Sequence, residues 1–501
     1  MSGITRHETV RLFRMAIWLM LTAVSVSAET GIVAASSSDF TFDAGFIASR
    51  HRDVNGDWRV KAVGPIVERA DNERGITLNA ARPFYSDVQD PTLDREIHDY
   101  LWPIANSRTT QEENLWRFLF FYGFNHTTND PGDRYRTWLI PFYFQGRDAS
   151  GETYRALFPL GGTIKDFLGR DEISFVLWPV YSTSKLNELS TVNVLWPLIS
   201  RTTSEKGHIY RHRFFPFYAV NHQEGKFHKR NFLWPIYSDV TYDYKHSKGS
   251  GFILFPLYGR LHLNTEDTWW VLPPFFRYTK GKDGTLIFAP WPFYQRKLTA
   301  EIDSRVVWPF WGRKTIGSLN RQFFLWPIIW SIHDQRTTTD WRRFYLVPFY
   351  YDTKVMSRPD VETGATPEMV GRHNKLWPLY TYRRDDEASL LRVPDLWPFG
   401  RSASIERNWA PLWSLYTRER NGENVDHEVL WGLYRNMRRA DDLRYVSLFP
   451  FFDYKRDEQV DQPVKSWNIL KGLIGYERKG ETKSLRLLYV IRFGIGKEPT
   501  P

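Results

Sequence analysis

The chain has 501 residues, no cysteine and a formal net charge of +10. The absence of cysteine excludes disulfide frameworks, thiolate catalysis, cysteine-ligated zinc and iron–sulfur clusters. The basic residues are scattered among nearly as many acidic ones. This pattern indicates a solvated surface with a basic bias rather than a nucleic-acid-binding stripe, so no nucleic-acid partner is expected.

Residues 1–28 have the features of a secretory signal peptide. Three arginines precede a short apolar run over residues 15–26, and Val26-Ser27-Ala28 offers small residues for cleavage. An uncleaved N-terminal anchor is the alternative. We expect an exported protein, and a cysteine-free, exported, β-rich chain favours the Gram-negative envelope. The outer membrane is the preferred location, with the periplasm or the extracellular space as alternatives.

After a short leader at residues 29–40, one phrase returns about every 19 residues. It consists of a large apolar residue, Trp or Phe, Pro, an aliphatic residue or Phe, and often Tyr. Clear copies are Leu177-Trp178-Pro179-Val180-Tyr181, Leu233-Trp234-Pro235-Ile236-Tyr237 and Leu376-Trp377-Pro378-Leu379-Tyr380. A fixed period of this kind indicates an array of one supersecondary unit.

Between the phrases lie polar segments with turn residues, such as Lys282-Asp283-Gly284 and Asn421-Gly422. Each repeat therefore predicts one extended segment of about twelve residues, with the proline near its middle, followed by a short turn. Proline in every apolar segment argues against helices. The predicted fold is all-β, an antiparallel up-and-down meander of about 22–24 strands. It forms a single repeat domain over residues 41–496, before a short tail at 497–501.

The repeat is interrupted once, because 30 residues separate Pro348 from Pro378. Residues 354–372 are therefore predicted to form an insertion loop. Such a loop is either a tolerated surface insertion or the place where a function private to this chain resides.

Both faces of each predicted strand are apolar near the proline, so the middle of the sheet needs a cover on both sides. A closed, outer-membrane-type β-barrel provides that cover, with membrane lipid or lipopolysaccharide as the partner. A soluble multilayer or rolled sheet is the alternative, and a propeller or a solenoid fits the pattern less well. Against the barrel, the apolar segment is shorter than a spanning strand, and each proline removes a hydrogen-bond donor.

No catalytic motif is present: there is no phosphate-binding glycine loop, no nucleophile elbow and no HExxH sequence. His208 and His212 are four residues apart, which is about 13 Å along a strand and too far for a shared metal. The same reasoning dismisses His222 with His228. We therefore predict a protein that is not an enzyme and has no cofactor and no metal site.

The tyrosines two residues after the proline are the best candidates for ligand contact. They would line an apolar lumen suited to a greasy or aromatic solute if the proline face looks inward. The alternative is that the rings pack the interior or form an interfacial belt. The candidates are Tyr181, Tyr218, Tyr237, Tyr258, Tyr294, Tyr350 and Tyr380.

The recurring Leu-Trp-Pro-Leu-Tyr phrase, with Arg- and Asp-rich turns, resembles a group of exported bacterial β-repeat proteins. The resemblance covers nearly the whole chain and implies no substrate and no catalytic residues. The C-terminus departs from the usual outer-membrane insertion signal, because residues 494–501 follow the last predicted strand. The sequence thus predicts a non-enzymatic outer-membrane β-barrel acting as a channel, a transporter or a structural wall element. A soluble exported scaffold that binds glycans or other ligands through its aromatic rows is the alternative.

Overall fold

The structure, a computed structural model, describes residues 40–127, 130, 132–358, 366–458 and 463–495. The predicted signal peptide, nearly all of the leader, the centre of the predicted insertion loop (359–365) and the tail lie outside the described residues. No helix within the described ranges is long and apolar enough to cross a membrane.

The described chain contains 46 strands. The first eight are β1 (Phe40–Asp43), β2 (Ala48–Arg52), β3 (Trp58–Ala62), β4 (Val67–Asp71), β5 (Thr77–Ala81), β6 (Tyr85–Asp90), β7 (Arg95–Tyr100) and β8 (Ala105–Thr109). The next twenty-five are β9 (Glu113–Phe118), β10 (Tyr122–Thr127), β11 (Tyr135–Leu139), β12 (Tyr143–Arg147), β13 (Thr153–Leu157), β14 (Gly161–Phe167), β15 (Arg170–Val176), β16 (Tyr181–Leu186), β17 (Leu189–Val194), β18 (Ile199–Ser204), β19 (Ile209–Phe214), β20 (Tyr218–Gln223), β21 (Phe227–Phe232), β22 (Tyr237–Tyr244), β23 (Ser247–Leu254), β24 (Tyr258–Leu263), β25 (Glu266–Val271), β26 (Phe276–Gly281), β27 (Gly284–Phe288), β28 (Tyr294–Thr299), β29 (Ile302–Val307), β30 (Trp311–Ile316), β31 (Leu319–Phe324), β32 (Ile329–Gln335) and β33 (Thr339–Leu346). The last thirteen are β34 (Tyr350–Ser357), β35 (Met369–Leu376), β36 (Tyr380–Asp385), β37 (Ala388–Val393), β38 (Tyr416–Asn421), β39 (Asn424–Val429), β40 (Tyr434–Arg438), β41 (Arg444–Leu448), β42 (Phe452–Asp457), β43 (Val464–Ile469), β44 (Ile474–Lys479), β45 (Thr482–Leu487) and β46 (Ile491–Ile495).

The predicted fold class is confirmed: the chain is all-β, and its strands run up and down in antiparallel pairs with their sequence neighbours. The only α-helices in the described residues are α1 (Ala403–Asn408) and α2 (Ala410–Trp413), between β37 and β38. Closure of the sheet is not observed. Among the described pairings, the first strand, β1, pairs with β2, and the last strand, β46, pairs with β45. No described pairing joins β1 to β46.

The number of strands is about twice the predicted number, because the proline phrase forms a turn and not the middle of a strand. Strand β15 ends at Val176 and β16 begins at Tyr181, so the residues between them make the turn. The Val180 amide donates to the Leu177 carbonyl at 2.8 Å and closes it. The peptide bond before Pro179 is cis, as it is at most of these turns. Each repeat is therefore a hairpin of two strands. A proline in its turn removes no hydrogen bond from the strand ladder.

The chain divides into two compact units, one made of residues 1–111 and 348–501 and the other of residues 112–347. We call them the terminal unit and the central unit. In the terminal unit, β1–β3 contact β38–β41 through ion pairs such as Lys61–Glu428. An apolar cluster there contains Ala48, Ala62, Val67 and Tyr85.

In the central unit the strands form one continuous antiparallel meander from β9 to β33. One face of its first strands carries a core of Phe144, Tyr154, Ala156, Ile164 and Phe175. Most strands have five or six residues, and the longest have eight. All proline turns of this unit lie at one edge of the meander, and the polar turns lie at the other, because each repeat contributes one turn of each kind.

The predicted insertion loop begins and ends inside strands. Residues 354–357 belong to β34 and residues 369–372 belong to β35. These two strands pair over most of their eight-residue lengths, with an irregularity between Val355 and Met356.

Candidate functional site

The most distinctive surface of the molecule is the edge of the central unit that carries the proline turns. Large apolar side chains at these turns are exposed rather than packed, and Trp234 and Phe310 are 58% and 60% accessible. Others that share this exposure are Leu177, Val180, Leu195, Trp196, Phe217, Leu257, Phe275, Phe293 and Trp326. A contiguous apolar surface of this kind marks an interaction site on a soluble or membrane-bound protein.

The strand residues that adjoin these turns extend the apolar surface. In the central unit, antiparallel register places them directly opposite each other in a single row on one face. The row includes Val176, Tyr181, Val194, Ile199, Phe214, Tyr218, Phe232, Tyr237, Leu254, Tyr258 and Val271. We call the proline turns together with this row the apolar edge.

The structure places all seven candidate tyrosines at the first position of a strand, directly after a proline turn. Five of them, Tyr181, Tyr218, Tyr237, Tyr258 and Tyr294, lie in the apolar edge of the central unit. They alternate there with aliphatic residues or Phe, and four of the five are more than one-third exposed. The rings therefore contribute to an extended amphipathic surface.

The remaining two candidates lie in the terminal unit. Tyr350 and Tyr380 are both paired with Leu376 across neighbouring strands. Their hydroxyls meet at Asn374, whose amide donates to Tyr350 Oη at 2.9 Å and accepts from Tyr380 Oη at 2.6 Å. These hydrogen bonds fix the two rings as part of the strand framework.

A cavity of about 400 Å³ lies inside the terminal unit, between β3–β6 on one side and β37–β39 with α1 and α2 on the other. Its lining is strongly charged, and each of its four acidic side chains is paired with a cation. The pairs are Glu68–Arg82 at 2.6 Å, Glu406–Arg392 at 2.7 Å, Glu419–Arg59 at 3.5 Å and Glu428–Lys61 at 2.6 Å. Burial opposes ionisation of Glu68, but Arg82 and Lys61 hold its pKa down at about 2. All four acids are thus committed to ion pairs, and two of these pairs, Glu419–Arg59 and Glu428–Lys61, join the two sides of the cavity.

The prediction that His222 and His228 lie far apart is wrong. A turn separates them, so β20 and β21 place the two residues directly opposite each other. Their Nδ1 atoms are 3.3 Å apart, and the His222 ring stacks on Tyr210 with centroids 4.7 Å apart. The estimate of about 13 Å applies to a single strand, whereas residues 222–228 fold back as a hairpin. His208, which the sequence analysis compared with His212, has its Nε2 atom 3.0 Å from Glu188 Oε1.

The sequence analysis also missed a cluster in the terminal unit formed by Asp87, Glu96 and His98 on β6 and β7. His98 Nδ1 is 3.6 Å from Asp87 and 3.0 Å from the Tyr85 hydroxyl, and Nε2 is 3.6 Å from Glu96. It is the one group of three potential metal ligands found among the described residues. Cross-strand register creates it, and a hairpin prediction with the correct turn would have brought Asp87 and His98 together.

Searches with protein-family models and against curated proteins find no match to this chain.

Proposed function

We propose that this protein is a non-enzymatic component of the Gram-negative outer membrane that docks on lipid through its apolar edge. The observation that carries the proposal is the long series of exposed Trp, Phe, Leu and Tyr side chains along one edge of the central unit. Its role would be that of a structural wall or transport element, with membrane lipid or lipopolysaccharide as the partner.

Exposed side chains of this size make transfer to lipid favourable. Burying one large apolar side chain contributes about 1.5–3 kcal/mol, so a few turns suffice to offset the freedom lost on binding. Trp and Tyr also prefer the boundary between hydrocarbon and water, where one part of the ring system is apolar and the other is hydrated. The composition of the apolar edge matches that boundary.

The strands favour docking at the membrane surface over spanning it. A strand that crosses a bilayer needs about 9–11 residues, whereas most strands here have five or six. In addition, most of the exposed large apolar side chains of the central unit lie in the turns and the adjoining row. That depth corresponds to the ~5–10 Å to which an interfacial element is buried. A closed spanning barrel is therefore the less favoured form of the proposal.

The compartment is inferred from the N-terminal sequence. A basic segment, an apolar run and a small-residue cleavage site support export, and the apolar edge then requires a membrane within that compartment. Fractionation of cells that express the full chain would test this part. Recovery entirely in the soluble periplasm would contradict an outer-membrane location.

The docking itself is tested by flotation of the mature protein with phosphatidylcholine vesicles. We expect the wild-type protein to float and the triple variant Trp196→Ser, Trp234→Ser, Trp326→Ser to remain at the bottom. The matched control replaces three exposed apolar residues at the opposite edge. It is Leu168→Ser, Tyr244→Ser, Leu298→Ser, and it should float like the wild type. Equal loss in both variants, or no flotation of the wild type, would refute docking through the apolar edge.

A soluble scaffold that binds glycans is the second candidate, and one observation favours it. Trp269 on β25 and Tyr278 on β26 lie directly opposite each other, with ring centroids 5.7 Å apart and an interplanar angle of 24°. Tyr278 is exposed and Trp269 is half-buried. Flat aromatic surfaces of this kind can stack on sugar rings. Two results together would favour this function over docking: the wild-type protein stays soluble without vesicles and binds glycans, and the Trp269→Ala variant loses glycan binding.

A further inference from the structure

Three arginines lie side by side just behind the apolar edge of the central unit. Arg296 on β28 is directly opposite Arg305 on β29, which is directly opposite Arg313 on β30. We call these three residues the arginine row. It lies on the same face as Tyr294, Val307 and Trp311 of the apolar edge, because each arginine is two positions from one of them.

This arrangement is unfavourable for the isolated protein. Directly opposite residues have Cβ atoms about 4.5–5.5 Å apart, and like charges at that separation repel each other. Arg296 is relieved by an ion pair with Asp303. Arg305 and Arg313 are exposed and have no acidic partner among the described residues. Two adjacent guanidinium groups are thus left without a counter-charge.

Resting on the proposed docking function, we propose that the arginine row binds the phosphate of an anionic lipid headgroup. Guanidinium groups present paired N–H donors that match the oxygens of a phosphate, and one phosphate between Arg305 and Arg313 would cancel their repulsion. The ligand has a defined orientation, since its acyl chains must lie toward the apolar edge.

The spacing between the arginine row and the apolar row matches the thickness of the lipid headgroup layer. Two residues of extended chain correspond to ~6.6 Å, which separates the arginine row from the apolar row. The headgroup layer on each side of a bilayer is about 5–8 Å thick, taken from a ~30 Å hydrocarbon core within a ~40–45 Å bilayer. When the apolar row reaches the hydrocarbon boundary, the arginines are therefore at the height of the phosphates.

The neighbouring side chains favour lipid over nucleic acid as the source of the phosphate. Trp311 and Val307 are exposed next to the arginines, and Phe310 in the adjoining turn is more exposed still. A nucleic-acid backbone would leave these apolar groups in water, whereas a lipid covers them and the arginines together.

The test compares binding of the mature protein to phosphatidylcholine vesicles with binding to vesicles that also contain phosphatidylglycerol. We expect the anionic lipid to strengthen wild-type binding roughly tenfold or more. The variant Arg305→Gln, Arg313→Gln should lose that increment and still bind phosphatidylcholine like the wild type. The matched control is Lys314→Gln, Arg321→Gln, which removes two directly opposite cations from β30 and β31 on the other face.

The outcomes separate the headgroup site from the docking function. Retention of the phosphatidylglycerol increment by the Arg305 and Arg313 variant would overturn the site, and so would an equal loss in the Lys314 and Arg321 control. Oligonucleotide binding that depends on the same arginines, without any vesicle increment, would also overturn it. Absence of binding to either vesicle by the wild type would refute docking itself. Thermal unfolding of each variant should match the wild type or exceed it, because repulsion is removed.

Discussion

At the scale of single residues, the terminal unit is held together by ion pairs between distant parts of the chain. Glu428 lies between Lys61 Nζ at 2.6 Å and Arg435 Nη2 at 3.0 Å, and Arg435 also binds Asp43 at 3.2 Å. Burial disfavours a charged Glu428, but Lys61 and Arg435 keep its pKa well below its usual range. Removing charges from water is costly, so this site is stable only while every charge keeps a partner.

We expect Glu428→Gln to lower the free energy of unfolding by about 3–5 kcal/mol, because Lys61 would lose its acidic partner inside the unit and Arg435 would keep only Asp43. Chemical denaturation followed by circular dichroism measures the change. The exposed turn residue Glu423 provides the control, since Glu423→Gln should remain within about 0.5 kcal/mol of the wild type. Equal effects of the two substitutions would contradict a role for the buried network.

His373 on β35 gives the terminal unit a pH dependence. Burial lowers its pKa to about 4, and the nearby cations Arg383 and Lys375 add to the effect. A lowered histidine pKa means that the unfolded chain takes up the proton first. The stability contributed by neutral His373 is therefore complete above about pH 6.5 and is lost as the pH falls toward 4.

The variant His373→Gln should accordingly show a smaller loss of stability between pH 6.5 and 4 than the wild type does. Asp426 acts in the opposite direction, since burial raises its pKa to about 6 and its contribution is lost as the pH rises. The contribution of Asp426 is the same in the wild type and in His373→Gln, so it cancels when the two pH profiles are compared. His246→Gln, at an exposed position, should leave the pH profile unchanged. Parallel profiles for His373→Gln and the wild type would disprove the assignment.

At the scale of the elements, the proline turns contain leucines in a backbone conformation that suits glycine. Leu177, Leu195, Leu233 and Leu325 have φ angles of 48°, 49°, 47° and 49°. A bulky residue with positive φ costs roughly 1–2 kcal/mol. The chain keeps an exposed, strained leucine where glycine would fit, and strain of this kind is expected at functional positions. This agrees with a role for the turn leucines in contacting lipid.

Leu233→Gly should therefore leave the free energy of unfolding unchanged or raise it by up to about 1 kcal/mol, after allowing for the greater chain entropy of glycine. Leu233→Ala is the matched control, because it removes the same apolar group but keeps the Cβ and its strain. Alanine should be less stable than glycine at this position, and both variants should bind vesicles more weakly. A glycine variant less stable than the alanine variant would contradict the strain argument.

At the scale of the whole molecule, two different forces would act at the membrane. The apolar edge contributes burial of apolar area, which does not require charge, whereas the arginine row contributes electrostatic attraction. The two respond differently to salt, because ions screen exposed charges but do not weaken apolar burial.

Raising the salt concentration from about 0.1 M to about 1 M shortens the Debye length from ~10 Å to ~3 Å. We expect binding of the mature protein to phosphatidylcholine vesicles to stay constant or strengthen over that range. The additional binding caused by phosphatidylglycerol should fall by at least several-fold. Flotation at each salt concentration measures both quantities. A loss of phosphatidylcholine binding at high salt would show that charge, and not the apolar edge, holds the protein on the membrane.

Sequence reasoning succeeded where a local pattern has a single physical meaning. The turn predicted at Asn421-Gly422 is present, because β38 ends at Asn421 and β39 begins at Asn424. The period of the Leu-Trp-Pro phrase corresponds to the period of the structure. The predicted number of strands was wrong because an apolar run around a proline is compatible with the middle of one strand and equally with a turn between two strands. That one misassignment also placed the apolar surface on both faces of a strand and kept His222 apart from His228.

The sequence by itself determined the class of the fold, the antiparallel order of the strands and the length of the repeat. These follow from composition, turn chemistry and periodicity, which act over a few residues. Only the tertiary structure decided that the prolines lie at one edge, that Arg305 and Arg313 share a face with Trp311, and that Lys61 meets Glu428. Such neighbours depend on register and on contacts between strands hundreds of residues apart, and a one-residue change of register would move each side chain to the opposite face.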